Sequence, residues 1–143
     1  MTATTPTIPG RTTPSDEAVM AIRATVLDYY EGWYDADAVR MARAVHPELV
    51  KRARIATDSP GEVSRVVSAQ QMIAWTGAGQ GREDVIGGDR TVDVEVLDVS
   101  GEIASAIAAT PLYFEYLLLV ATPAGWRIVV ALWRYQDGQP HQP

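Results

Sequence analysis

Two apolar runs near the end of the chain, Leu112 to Thr122 and Trp126 to Tyr135, are joined by the turn Pro123-Ala124-Gly125. They constrain the fold more than any other segment, because both read as long strands of one hairpin. Leu112, Phe114, Tyr116, Leu118 and Val120 make one face of the first, while Leu117 and Leu119 extend apolar character onto the other. A hairpin-connected antiparallel sheet ordinarily leaves one face to water. These strands need cover on both. Helices are expected on one side and a second subunit on the other, which predicts a homodimer.

Strands Thr91 to Val99 and Ile103 to Thr110, with the turn Ser100-Gly101-Glu102, precede that hairpin. The first half of the chain supplies the helices. Pro14-Ser15-Asp16-Glu17 is a helix start, placing carboxylates near free amides and the positive dipole end. Val19, Ile22, Val26, Tyr29 and Trp33 then recur at helical spacing as one buried stripe, with Tyr30 just off it. Asp35 or Asp37 caps a second helix carrying Val39, Met41, Ala42 and Val45, and Pro47 is expected to stop it. Leu49 to Ile55 and Val63 to Val67 are expected as paired strands around the turn Asp58-Ser59-Pro60-Gly61. Ser68-Ala69-Gln70-Gln71 has the capping-box pattern of a third helix through Met72, Ile73 and Trp75. Gly77, Gly79, Gly81, Gly87 and Gly88 lack the context of a phosphate loop and predict a flexible connection.

A chain of 143 residues with 47% apolar content suits one domain, expected over residues 15–136 between a disordered tail, 1–14, and a second tail, 137–143. The net charge of −6 repels a phosphate backbone and argues against nucleic-acid binding. There is no cysteine, hence no thiol nucleophile or thiolate metal site. No apolar run approaches the roughly 18 residues of a membrane span, and the Thr/Pro-rich start lacks a secretory apolar region. The expectation is a cytoplasmic protein that neither enters a membrane nor binds a metal or cofactor.

Several spaced segments resemble one known group. They are Tyr29, Glu31, Gly32 and Trp33; His46 through Arg52; Leu97-Asp98-Val99 with Gly101-Glu102-Ile103-Ala104-Ser105; Tyr116-Leu117; and Trp126-Arg127-Ile128-Val129. Their order is similar to that of the putative lumazine-binding family in the nuclear transport factor 2-like superfamily. The resemblance runs from about Ala18 to Trp133. It implies an α+β cone in which N-terminal helices pack on a curved, mostly antiparallel sheet. It also places Tyr29 where the ketosteroid isomerases of the superfamily carry their oxyanion-stabilising tyrosine. The strand that holds their catalytic aspartate reads Lys51-Arg52-Ala53-Arg54 here, with no carboxylate to take an α-proton. Nor is there the Asp-Arg-Asp arrangement of the limonene epoxide hydrolases.

Candidate chemistry follows from a few side chains. The Tyr29 phenol, if buried, can donate to a developing oxyanion; otherwise it is a core aromatic bonded to a carbonyl. Trp33, Trp75, Tyr113, Phe114, Tyr116 and Trp133 could wall a flat apolar cavity. Trp126 and Trp133 are seven apart on one strand and so should face opposite ways, with Trp133 the one that lines the cavity. His46 could be a general base or could cap the second helix, and His141 lies in the tail. Lys51, if inward, could hold a carboxylate or enolate, or pair with Asp98 or Glu115. Asp98 and Glu115 are the carboxylates expected to be partly buried and able to move a proton, although Asp98 also suits a turn. In the related pattern an aspartate often stands at the position of Glu115.

The combined expectation is an aromatic-walled pocket for a small aromatic or polycyclic molecule. Tyr29 would stabilise an oxyanion, Glu115, Asp98 or His46 would move a proton, and Lys51 would give electrostatic support. The reaction class would be cofactor-independent isomerisation, cyclisation or elimination. The rival expectations are a binding or accessory protein for a pterin- or flavin-like ligand, and a closed cone filled by its own side chains.

Overall fold

The computed structural model describes residues 8–54 and 59–138. Ser15 accepts from the Ala18 amide and opens helix α1, Asp16–Tyr34. Asp37 caps α2, Ala38–Ala44, by accepting from the Arg40 amide. Strand β1 then begins at once and spans Val45–Ala53. The helix thus ends before Pro47, and the strand starts earlier than its apolar run suggested. Pro47 instead falls inside β1, where it has no N–H to offer; pairing with the neighbouring strand breaks between Val45 and Val50.

Ser68 and Gln71 cap each other reciprocally at the start of α3, Ala69–Gly77. The expected strand at Val63 to Val67 is reduced to two isolated bridges, Lys51 with Val67 and Arg54 with Val63. Ile55 and Asp58, at the expected ends of that strand and turn, lie outside the described residues. The glycine-rich segment is not merely a connection, for it contains a 3-10 turn, Gln80–Asp84. Strands β2 (Asp93–Ser100), β3 (Ile103–Ala109), β4 (Tyr113–Thr122) and β5 (Gly125–Tyr135) follow. The sheet order is β1-β5-β4-β3-β2, with β1 parallel to β5 and every other pair antiparallel.

All three helices lie against one face of this sheet. Ile22, Val26 and Tyr29 of the expected stripe are buried there, with Met41, Ala44 and Met72, over Ala106, Leu117, Leu119 and Ile128. Fully burying side chains such as Leu117 and Ile128 stabilises the fold by roughly 1.5–3 kcal/mol each. The opposite face stays open: Tyr116 is 57% exposed, Leu118 49% and Leu132 44%. The described part of the N-terminal segment is fastened to the free edge of β2. Thr12 bridges Val99, and Ser100 Oγ donates to the Gly10 carbonyl at 2.6 Å. Among the described residues, no helix is long and apolar enough to cross a membrane.

Two irregularities decide which side chains face the helices. In the β4–β5 ladder Leu118 pairs with Val130 and Leu119 with Ile128, so Val129 is an extra residue in β5. This bulge offsets the alternation by one. Trp126 and Trp133, expected on opposite faces, are therefore both on the helix side. In the β2–β3 ladder Val96 pairs with Ala106 and Asp98 with Ser105, leaving Leu97 as the extra residue. Asp98 is thereby turned to the open face, where it pairs with Arg11 at 3.1 Å.

Candidate functional site

Between the sheet and the helices lies a cavity of about 190 Å³. Its floor is the carboxylate of Glu115, which is only 2% exposed. Glu115 shares the inward parity of Leu117 and Leu119 on β4, so strand alternation buries a charge there. The charge is held by two hydrogen-bond donors and one cation. Tyr30 OH donates to Oε1 at 2.5 Å, and Tyr29 OH donates to Oε2 at 3.1 Å. Lys51, opposite Ala131 on β1, brings Nζ to 3.4 Å from Oε2 and donates to the Tyr29 hydroxyl. Its ammonium also sits 4.8 Å from the Tyr29 ring centroid and 5.9 Å from that of Trp133.

A buried carboxylate without such partners would be strongly destabilising. Among the described residues, no buried side-chain polar atom is left without a hydrogen bond. Consecutive helical positions point about 100° apart, so Tyr29 and Tyr30 can both reach Glu115 from one helix end. Their rings meet edge to face with centroids 5.0 Å apart. Burial pushes both phenols well above the ordinary tyrosine value, and the adjacent Glu115 charge adds to that.

The rim is built by a second carboxylate. Asp84 Oδ2 accepts from Trp33 Nε1 at 2.7 Å and from Tyr113 OH at 2.6 Å, tying helix α1 to β4 across the cavity mouth. Burial, then the bonded Asp84, raise the Tyr113 phenol as well. Asp84 is carried by the 3-10 turn, which packs directly on α1. A Cβ at Gly81 would lie 2.1 Å from the Trp33 carbonyl oxygen, so this contact requires glycine. Trp75 and Trp133 complete the aromatic walls, and the exposed Gln80 stands at the opening.

Of the expected site residues, the cavity brings together Tyr29, Trp33, Lys51, Trp75, Tyr113, Glu115 and Trp133. Four others are elsewhere. Tyr116, one position after Glu115, is on the open face by simple alternation, as is Phe114. Asp98 was turned away by the Leu97 bulge. His46 stands at the start of β1, where its Nδ1 accepts from the Glu48 amide at 3.0 Å; neither the helix cap nor the cavity includes it. His141 lies outside the described residues. Tyr30, Asp84, Gln80 and Tyr135 line or brace the site without having been expected there. For Tyr30 the signal was its adjacency to Tyr29; for Asp84, inside a glycine-rich stretch, no local signal exists. Among the described residues, no three His, Cys, Asp or Glu side chains gather as a metal group would need.

A family model described as "Putative lumazine-binding" matches residues 17–134. No curated protein matches the chain. Solved structures do. An NTF-2-like protein of unknown function from Silicibacter pomeroyi is 18% identical with a TM-score of 0.64, the match covering 87% of this chain and 100% of that one. An NTF2-like protein of unknown function from Shewanella baltica is 15% identical with a TM-score of 0.60, covering 89% and 100%. A ketosteroid isomerase-like protein from Erwinia carotovora atroseptica is 14% identical with a TM-score of 0.57, covering 88% and 100%. At these identities the likeness establishes the α+β fold and nothing finer. With its family model spanning nearly the whole domain, the chain belongs to the family described as putative lumazine-binding, on the nuclear transport factor 2-like fold.

Proposed function

We propose that the cavity binds a small, flat organic molecule bearing a carbonyl-type oxygen and performs acid/base chemistry on it without a cofactor. The observation that carries this reading is the Lys51–Tyr29–Glu115 chain at the floor of an aromatic cavity. Lys51 has three N–H groups; one donates to Tyr29 and Glu115 is an ion-pair partner at 3.4 Å, so a donor remains for a ligand oxygen. An ammonium and a phenol aimed at one point would stabilise charge developing on that oxygen as an enolate forms. Glu115 would take the proton, exchanging it for the hydrogen bond it now receives from Tyr29. Tyr30 would hold the other carboxylate oxygen in place. Isomerisation, cyclisation and elimination all use such a step.

Size narrows the ligand. A closed cavity of about 150 Å³ holds one benzene ring, so this one suits a single ring or compact pair. A larger polycycle would have to extend past Gln80. A second reading, binding without turnover, is favoured by one detail: both Glu115 oxygens already accept hydrogen bonds. The family description, which names lumazine, a flat heteroaromatic dione, fits either reading.

Intrinsic tryptophan fluorescence, titrated with pterins, flavins, single-ring aromatic ketones and steroids, tests the site. Saturable quenching that disappears in Lys51→Met supports it. Turnover of a bound compound that is lost in Tyr29→Phe and Glu115→Gln, with folding intact, supports catalysis. Saturable binding with no turnover leaves the binding reading. Absence of quenching across the panel counts against both.

A further inference from the structure

The protons around the cavity are unevenly engaged. The Tyr29 and Tyr30 hydroxyls both donate to Glu115, and the Tyr113 hydroxyl and Trp33 indole N–H both donate to Asp84. Two lining groups besides Lys51 still hold protons that go nowhere. Among the described residues, the Trp75 indole N–H and the Gln80 amide make no hydrogen bond. No buried side-chain polar atom is unpaired, so the N–H of the half-buried Trp75 must be reached by solvent.

Gln80 is held in place by its neighbours. Gly79, at φ +86°, follows helix α3 with its amide bonded to the Thr76 carbonyl at 3.0 Å. Gly81, on the other side, is pressed against Trp33. The backbone at Gln80 is therefore fixed from both directions, while its side chain stays free at the opening.

Charge narrows what such donors can meet. The lining carries one cation, Lys51, and one anion, Glu115, and the Asp84 carboxylate braces the rim. Two carboxylates against one ammonium oppose an anionic ligand. Free N–H groups at both the floor and the mouth suit a ligand that accepts at both ends.

We propose that Gln80 is a specificity-determining residue of this cavity, donating with Trp75 to a second acceptor oxygen at the outer end of a neutral ligand. The proposal rests on the carbonyl-binding reading above and narrows it. Lys51 holds the first oxygen at the floor, the ring lies between the aromatic walls, and Gln80 meets the second oxygen at the mouth. The ligand class is a flat, neutral diketone or quinone with its oxygens at opposite ends of one ring. A ligand that covers the mouth without an outer acceptor leaves the Gln80 amide and the Trp75 N–H unpaired, and that loss is what discriminates.

Isothermal titration calorimetry of the full chain with three single-ring ketones tests this. Para-diacetylbenzene carries both acceptors, acetophenone only one, and para-acetylbenzoate has a carboxylate in place of the second ketone. Wild type is expected to bind para-diacetylbenzene about fivefold tighter than acetophenone, the effect of one neutral hydrogen bond, and tighter than para-acetylbenzoate. The preference over acetophenone should vanish in Gln80→Leu and in Gln80→Glu, which keeps the shape but loses the donor. Trp75→Phe should reduce it. Equal binding of the two neutral ketones by wild type overturns the proposal and leaves the carbonyl reading standing. So does a preference that survives all three substitutions, or tightest binding of para-acetylbenzoate. Acetophenone bound equally well by wild type and Lys51→Met would instead overturn the carbonyl reading beneath it, and no binding of any of the three overturns both.

Discussion

Nζ of Lys51 lies 3.4 Å from Oε2 of Glu115, with the Tyr29 hydroxyl bonded to both. One residue comes from the edge strand β1, the other from the central strand β4, and the Glu115 side chain is 2% exposed. The pair closes the cavity floor and couples the edge of the sheet to its centre.

That coupling should be measurable by urea unfolding. Removing one partner of a buried pair leaves the other charge uncompensated, at a cost of about 3–5 kcal/mol. Lys51→Met is expected near the lower end, because Tyr29 and Tyr30 still bond the carboxylate. Glu115→Gln should cost about 1–3 kcal/mol. The double variant should be more stable than the sum of the two losses by at least ~1 kcal/mol. Strict additivity would mean that the two charges do not sense each other.

Alkaline titration tests the burial of the phenols. Burial and then Glu115 raise Tyr29 and Tyr30 in the folded state above their unfolded value. Their contribution to stability is therefore complete below pH about 10, the unfolded value, and is lost as pH rises from there through the folded values. Phenolate absorbance from these two should appear late, together with loss of circular dichroism. If every tyrosine ionised near the ordinary value with the fold intact, the buried cluster would be wrong.

Gly81→Ala probes the rim. The added carbon would lie 2.1 Å from the Trp33 carbonyl oxygen and 2.6 Å from its Cγ, so the 3-10 turn must lift away. Asp84 then loses its hydrogen bonds to Trp33 and Tyr113. A destabilisation of about 2–4 kcal/mol is expected, together with a changed tryptophan emission as Trp33 becomes wetter. A variant as stable as wild type, with unchanged emission, would show that the turn does not pack on α1.

Local signals were legible wherever the partner of a group lies within one turn of chain. Ser15, Asp37 and the Ser68–Gln71 capping box mark helix starts because a cap and its amide are three residues apart. The hairpin turns and the two-sided apolar character of β4 were legible for the same reason, and with them the α+β order. Tyr29 could be named from its helical stripe and the resemblance, and Lys51 and Glu115 from residue type, with the face of Lys51 left open. Their meeting across 86 positions of sequence, in the Tyr29–Glu115 bond, could not.

Sequence by itself thus determined the three helices, the order of helices before strands and the aromatic and ionisable side chains available to a site, but not the 3-10 turn or the loss of the Val63 to Val67 strand to two bridges. Tertiary structure decided which of those side chains face one another. An extra residue at Val129 brought Trp126 to the side of Trp133, and another at Leu97 sent Asp98 to the opposite face from Glu115. A bulge is a property of two paired strands, set by how both edges of the pair pack, and a single strand carries no mark of it. Asp84 is the same case in a loop: its rigid position comes from Trp33 and Tyr113, which are remote in sequence and meet it only once the helix lies on the sheet.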